Sequence, residues 1–336
     1  RNHENILFKS SSMVSEALDK IYDYGEENFL ANLKKQYQTF NIYTNKLYLK
    51  PNLMDFITLF MRDLRNRLYN RFSKKNQYSW QIIYSFSDIS NLEFRKFKYL
   101  KPNKNTFWAD PFVVFYKKKY FVFFEEFNYN DQKGHISFIE ICDSGQKGKS
   151  KIAIKKKYHL SYPYIFKHNN DYFMIPESNN NGTIDIYKSN NFPENWTLEK
   201  TIFNSINAHD TSIVYFDGYW WIFTNLCTNK WTSPNDDLYL FYSKNIFSNK
   251  WTSHPMNPII SDVETARGAG KIFTKNGKLY RPSQNNLKRY GYGLNINEIE
   301  EININNYKER RISKLTPNWD NNIKGMHTFN FTNGIV

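Results

Sequence analysis

The chain repeats one phrase five times, and a fivefold repeat restricts its fold more than any other property of the sequence. Each copy has a polar opening, an apolar strand, a break, and an aromatic strand ending on a polar side chain. The copies are TFWADPFVVFYKKKYFVFFEE (106 to 126), LSYPYIFKHNNDYFMIPES (160 to 178), AHDTSIVYFDGYWWIFTN (208 to 225), TARGAGKIFTKNGKLYRPSQ (265 to 284) and GMHTFNFTNGIV (325 to 336). The openings Asp110, Tyr162, Asp210, Arg267 and His327 recur at roughly 50-residue intervals, the period of propeller blades. The expected fold class is all-β: a five-bladed β-propeller over residues 76 to 336, with a short α-helical N-terminal segment over residues 1 to 75.

In a blade the first strand lines the central channel and the second returns antiparallel beside it, so the start of one and the end of the other face the same mouth. The ring of openings therefore meets a ring of closings made by Glu125 or Glu126, Glu177, Asn225 and Gln284. Glu125 and Glu126 are adjacent on a strand, so only one faces the site, and Glu126 is taken as a weaker candidate. Third strands are expected at His135 to Cys142, Thr183 to Lys188, Leu238 to Ser243 and Tyr292 to Ile299. A second shared phrase, YKSNNFPENWT and YSKNIFSNKWT, sets Trp196 and Trp251 at matching positions, where they read as wedges between blades. The last copy has chain for two strands only. Because a ring needs every blade bridged, residues 80 to 87, with Trp80, Ile82, Tyr84 and Phe86 alternating, are expected to supply a strand to the fifth blade.

Upstream of the repeats, residues 12 to 37 show helical spacing broken at Gly25, and a further helix is expected after Pro51 and Asn52. Its stripe of Leu53, Phe56, Ile57, Phe60, Met61, Leu64 and Leu68 is followed by Arg62, Arg65, Arg67 and Arg71. Residues 53 to 72 then either dock on the propeller or lie on an anionic membrane surface with the arginines on phosphates. Residues 73 to 79 read as a linker.

The 336 residues carry a net charge of +14, much of it in runs such as Lys117 to Lys119 and Lys155 to Lys157 at hairpin turns or blade edges. Edge lysines discourage strand-to-strand aggregation, and the scattered lysines with no recognition motif argue against nucleic acid as a partner. Aromatic residues are 18% of the chain, enough to pack blades and also to form sugar-binding surfaces. Cys142 and Cys227 lie in different blades with no metal-type spacing, which points to a reducing compartment. With no apolar run of spanning length and no visible signal peptide, the expected location is cytoplasmic, with the inner face of the membrane as the option that the basic helix leaves open. The chain starts at Arg1 and not Met, so an upstream domain or signal stays open.

The phrases WADPF, FFEE, KGHIS, HLSYPYIF, IPES, HDTSIV, WWIFTN, HPMNPI, ARGAGK and LYRPSQ, in that order from about residue 108 to 284, resemble the N-terminal domain of plant glucosamine inositolphosphorylceramide transferase and its bacterial relatives. The resemblance extends from about residue 80 to the end. In the plant protein the recognised glycosyltransferase domain is a separate C-terminal unit, and nothing here looks like it. At one remove the repeats are similar to the propellers of glycoside hydrolase families 43 and 32. That likeness implies a base or nucleophile at Asp110 and a pKa-tuning carboxylate at Asp210. Where those families place their acid, this chain has Arg267, leaving Glu264, Glu177 or Glu126 for the role. His327 matches the family 43 histidine near an axial calcium or water, the only cofactor the resemblance suggests.

Glycosyl transfer needs one carboxylate that attacks, stabilises or activates, and another that protonates the departing oxygen. The candidate catalytic set is Asp110, Asp210, Glu177, Glu126 and Glu264. The candidate substrate-binding set is Trp108, Tyr162, His209, Asn225, Arg267, Arg281, Gln284 and His327, with Arg267 suited to a phosphate or carboxylate on the substrate. The glycines of ARGAGK read as a tight blade entry before they read as an anion nest. The sequence thus points to glycosyl transfer on a sugar or glycan, phosphorylated or lipid-linked, in glycan or glycolipid biosynthesis. A non-catalytic glycan-binding module serving a fused or partner catalytic domain, and a family-43-like hydrolase, are the alternatives.

Overall fold

The computed structural model describes residues 2–36, 52–72, 79–87, 89, 92–142, 144–229 and 232–336. The chain divides into two compact units, Arg1–Ser79 and Trp80–Val336. The first holds α1 (Asn2–Tyr24), α2 (Glu26–Gln36) and α3 (Leu53–Phe72). Gly25, at φ 79°, interrupts the first two as its left-handed tolerance permits. Position 37 and most of the expected linker, 73 to 78, lie outside the described residues. At the start of α3, Asn52 Oδ1 accepts the Asp55 N–H while Asp55 Oδ2 accepts the Asn52 N–H, both at 2.9 Å. This reciprocal cap satisfies two otherwise unpaired donors and explains why the helix begins after Asn52.

The second unit is the β-propeller. Its strands are β1 (Ile82–Tyr84), β2 (Lys98–Leu100), β3 (Thr106–Tyr116), β4 (Lys119–Asn128), β5 (Lys133–Ile141), β6 (Lys151–Ile154), β7 (Ser161–His168), β8 (Asp171–Glu177), β9 (Thr183–Asn191) and β10 (Glu194–Asn204). They continue with β11 (Ala208–Phe216), β12 (Tyr219–Leu226), β13 (Asp237–Ser243), β14 (Thr252–Ser253), β15 (Ile260–Ser261), β16 (Phe273–Lys275), β17 (Lys278–Asn285), β18 (Gly293–Ile302) and β19 (Tyr307–Leu315). Four antiparallel sheets, β3 to β6, β7 to β10, β11 to β15 and β16 to β19, form the first four blades in chain order.

The fifth blade is composite. Thr332 bridges Ile335, Val336 and Ser85 exchange two backbone hydrogen bonds of 2.9 Å, and β1 pairs with β2. The N-terminal end of the unit therefore completes the blade begun by the C-terminal repeat. Five apolar clusters occupy the contacts between successive blades, including that of Ile82, Tyr84 and Ile335 against Trp108, Val122 and Phe124. Trp196 of the second blade packs on Phe123 of the first, with ring centroids 5.8 Å apart, and Trp251 of the third packs on Phe203 of the second at 6.3 Å. Each buried aromatic contributes roughly 1.5–3 kcal/mol by leaving water, so blade-to-blade contact is where the ring gains its stability.

Candidate active site

In the first three blades the inner strand breaks register at the same step: between Ala109 and Phe112, Ser161 and Tyr164, and His209 and Ser212. The residue in each bulge has left-handed backbone, with φ of 50° at Asp110, 44° at Tyr162 and 46° at Asp210. Asp enters this region more readily than most residues, whereas a bulky tyrosine there is strained. Tyr162 is held by its hydroxyl, which accepts the Gly270 N–H at 2.8 Å, lies 3.2 Å from the Gly270 carbonyl and 3.0 Å from Ser212 Oγ. Gly270 is in the fourth blade, so the second blade reaches across the ring, and Tyr162 serves as a buried prop between the openings.

Around that prop lie four buried carboxylates. Asp110 Oδ1 accepts from Thr328 Oγ1 at 2.7 Å and faces His327 Nε2 at 3.2 Å. Burial opposes its charge, but the charge and hydrogen bond of His327 and the Thr328 hydroxyl hold its pKa below the usual range. Glu177 lies 3.3 Å from His209 Nδ1 and accepts the Asp210 N–H at 3.1 Å. Burial again opposes ionisation, yet His209, the Arg267 charge and that N–H bring its pKa down to about 2. His209 is raised to about 9: burial disfavours its charge, but hydrogen bonds to Cys227 and Glu177 and the Glu177 charge prevail.

Asp210 Oδ2 accepts from Arg267 Nε at 2.7 Å and Gln284 Nε2 at 3.1 Å. Burial and the charges of Glu177 and Asp110 outweigh Arg267 and raise it to about 7. Glu125 is raised well above the ordinary carboxylate value, first by burial and then by Asp110, Glu177 and Asp210. Four neighbouring acids are thus pushed apart: Asp110 and Glu177 are lowered, Asp210 is raised to about 7, and Glu125 is raised by burial and by the other three.

An aromatic rim adjoins the acids. Trp80 packs against His327 with centroids 4.1 Å apart and the rings tilted by 40°, and meets Tyr290 edge-on at 6.3 Å, while the Arg267 guanidinium lies 5.1 Å from the Tyr290 ring. Tyr290 is 44% exposed, so this rim presents ring surface to solvent beside buried charge. Among the described residues no group of three or more His, Cys, Asp or Glu side chains can hold a metal ion. The axial calcium implied by the family 43 likeness does not fit the described residues, since His327 turns its Nε2 to Asp110 and no group of three or more His, Cys, Asp or Glu side chains gathers there.

Of the residues singled out in the sequence, Asp110, Glu177, Asp210, His209, Arg267, Gln284 and His327 come together here. Glu126 does not: alternation along β4 turns it to Ser137 Oγ at 2.7 Å and Asn103 Nδ2 at 3.2 Å. Glu264 instead pairs with Arg311 and Lys314 of β19, the outermost strand of its blade. Arg281 is spent inside that blade on Glu309, at 2.7 and 2.8 Å, and on the Thr265 carbonyl. Trp108 is core, 4.4 Å from Phe124, and Asn225 ties the Asp237 carbonyl to the Gly268 N–H.

His159, Trp80 and Tyr290 are the site residues that sequence reasoning passed over, while Glu125, named there only as the alternative to Glu126, is the one of the two that faces the cluster. Glu125 was accessible, since setting FFEE over IPES aligns it with Glu177, and both pair with the residue just before a bulge. Tyr290 lies in the turn between β17 and β18, outside the repeat, where no sequence signal marks it.

The sequence profile described as "Glucosamine inositolphosphorylceramide transferase 1, N-terminal" matches residues 99–333. The chain belongs to this family. Glucosamine inositolphosphorylceramide transferase 1 of Oryza sativa subsp. japonica is 34% identical over 208 residues, covering 61% of this chain and 28% of the rice protein. The Arabidopsis thaliana protein of that name is 31% identical, over 61% and 27% of the two chains. The chain therefore matches little more than a quarter of the plant members' length. Among solved structures, it is similar to Zg3597, a family 117 glycoside hydrolase of Zobellia galactanivorans, with TM-score 0.49 and 11% identity over 71% of this chain and 76% of that one. It is also similar to an exo-β-1,3-galactanase of Clostridium thermocellum, with TM-score 0.48 and 13% identity over 61% and 49%.

Proposed function

We propose that this family member performs glycosyl transfer in glycan or glycolipid biosynthesis at the acid cluster of its propeller. The observation that carries this reading is the gathering of four buried carboxylates, Asp110, Glu125, Glu177 and Asp210, whose surroundings push their pKa values in opposite directions. Glu125 gives its proton to the departing oxygen as the bond to the anomeric carbon breaks. Asp110 takes the proton of the acceptor hydroxyl that attacks, or attacks directly in a double displacement. Asp210, locked to Arg267, tunes both, and Trp80 with Tyr290 provides a stacking face for a sugar ring. Arg267, already committed to Asp210, supports this electrostatic role better than the free anion grip its sequence position suggests.

The substrate we favour is lipid-linked, with the reaction at the cytoplasmic face of a membrane. No helix among the described residues is long and apolar enough to span a bilayer. Support for surface contact comes from α3, whose Leu53, Met54, Phe56, Phe60 and Met61 are exposed on the same helix as Arg62, Arg65 and Arg67. Sedimentation with anionic vesicles, but not neutral ones, checks this; equal recovery with both removes it.

The plant relatives are several times longer than the matched stretch, which favours a second reading: a glycan-binding module that presents substrate to a partner catalytic domain. Asp110→Asn separates the two. Loss of turnover by about 10²–10⁴-fold with ligand affinity kept supports catalysis, whereas a change in affinity alone supports the module.

A further inference from the structure

Glu125 has an elaborate support that the proposed chemistry leaves unexplained. The Gly134 N–H donates to His159 Nδ1 at 2.9 Å, and the Leu160 N–H donates to the Gly134 carbonyl at 3.1 Å, so two backbone segments pin the imidazole from one side. An Nδ1 that accepts a hydrogen bond has no hydrogen of its own, which leaves the ring hydrogen on Nε2. That Nε2 faces Glu125 Oε1 at 3.4 Å. Position 134 must be glycine for this approach: a Cβ there would lie 2.7 Å from Glu125 Oε1, 2.8 Å from His159 Cε1 and 2.8 Å from the Leu160 carbonyl oxygen.

We infer that Gly134 and His159 form a positioning device which covers Oε1 of Glu125 with a neutral N–H donor and so keeps the carboxyl proton on Oε2. The charges around the pair are those of Asp110, Glu177 and Asp210, with the Tyr290 phenol also within reach of Glu125. Burial holds the His159 pKa below its ordinary value, while Glu177 and Asp110 pull it upward, and the neutral ring results. In the glycosyl-transfer reading, on which the functional consequence rests, Oε2 hands its proton to the leaving oxygen and the Nε2–H stabilises the carboxylate that remains. His159 acts through Glu125 and is a positioning residue.

The test needs no substrate. In the full chain with ¹³C-labelled glutamate carboxyls and ¹⁵N-labelled histidine, Glu125→Gln identifies the Glu125 resonance. We expect His159 to be the Nε2-protonated tautomer near pH 7, and His159→Phe to raise the Glu125 midpoint by about one pH unit through loss of one donor. His159→Gln, whose amide can replace the Nε2–H, should recover most of that shift. An Nδ1-protonated or cationic His159, or a His159→Gln midpoint equal to that of His159→Phe, overturns the inference. Should His159→Phe fail to fold, the wild-type tautomer alone decides. If the titration behaves as expected but no glycosyl turnover is found with any donor, the proton placement stands and the proposed function falls.

Discussion

Asp110 shows how backbone and chemistry are joined in one residue. Its left-handed φ turns the carboxylate into the ring, and asparagine tolerates the same region, so Asp110→Asn should keep the Thr328 contact and change stability by less than about 1 kcal/mol. Asp110→Ala should be less stable than Asp110→Asn in the same denaturant titration. The buried Asp210–Arg267 pair behaves differently. Arg267→Met leaves Asp210 buried without its cation and should cost about 3–5 kcal/mol, while adding Asp210→Asn should return much of the loss. Additive penalties in the double mutant would show that the two do not act as a pair. His209 sets a pH window. Its folded pKa of about 9 exceeds the ordinary 6.5, so its contribution is fully present below pH 6.5 and is lost as pH rises through 9. Thermal melts should fall by the equivalent of roughly 3 kcal/mol across that window, and His209→Gln should flatten that portion of the curve.

At the scale of elements, each blade is held chiefly by its neighbours. Trp196→Ala empties a wedge between the first two blades and should destabilise by about 3 kcal/mol, read from urea unfolding. Where the fourth blade meets the fifth, the Phe329 N–H donates to the Ala269 carbonyl at 2.7 Å, and Gly270, at φ 134°, leaves no room for a side chain against the Phe329 carbonyl. This explains the glycines of ARGAGK as a close approach of two backbones, the plainer of the two sequence readings. The choice between Glu125 and Glu126 also belongs to this scale. Adjacent strand residues have opposite faces; alignment of FFEE with IPES favours Glu125, and the pairing of β3 with β4 across the bulge shows that it is the one matching Glu177.

For the molecule as a whole, ring closure is the decisive event. Because β1 and Val336 share the fifth blade, a chain beginning at residue 89 should lose cooperative unfolding, whereas one beginning at Trp80 should retain it. Differential scanning calorimetry distinguishes the two, and equal transitions would remove the closure argument. The closing strand also brings Trp80 to the rim against His327 and Tyr290, so closure of the ring and completion of the aromatic face are one step.

What the sequence determined by itself was the repeat: the blade count, the inner and returning strands, the openings Asp110 and Asp210, and the need for residues 80 to 87 to close the ring. Those follow from local periodicity, which survives in one dimension because each blade must bury the same faces. What only the tertiary structure decided was which polar residues meet. Arg281 and Glu264 find partners within their own blade, while Tyr290 and His159 reach the acid cluster from turns that carry no repeat. Protonation was hidden for the same reason: burial and the charges of other blades set it, and a carboxylate has neither until the ring has closed.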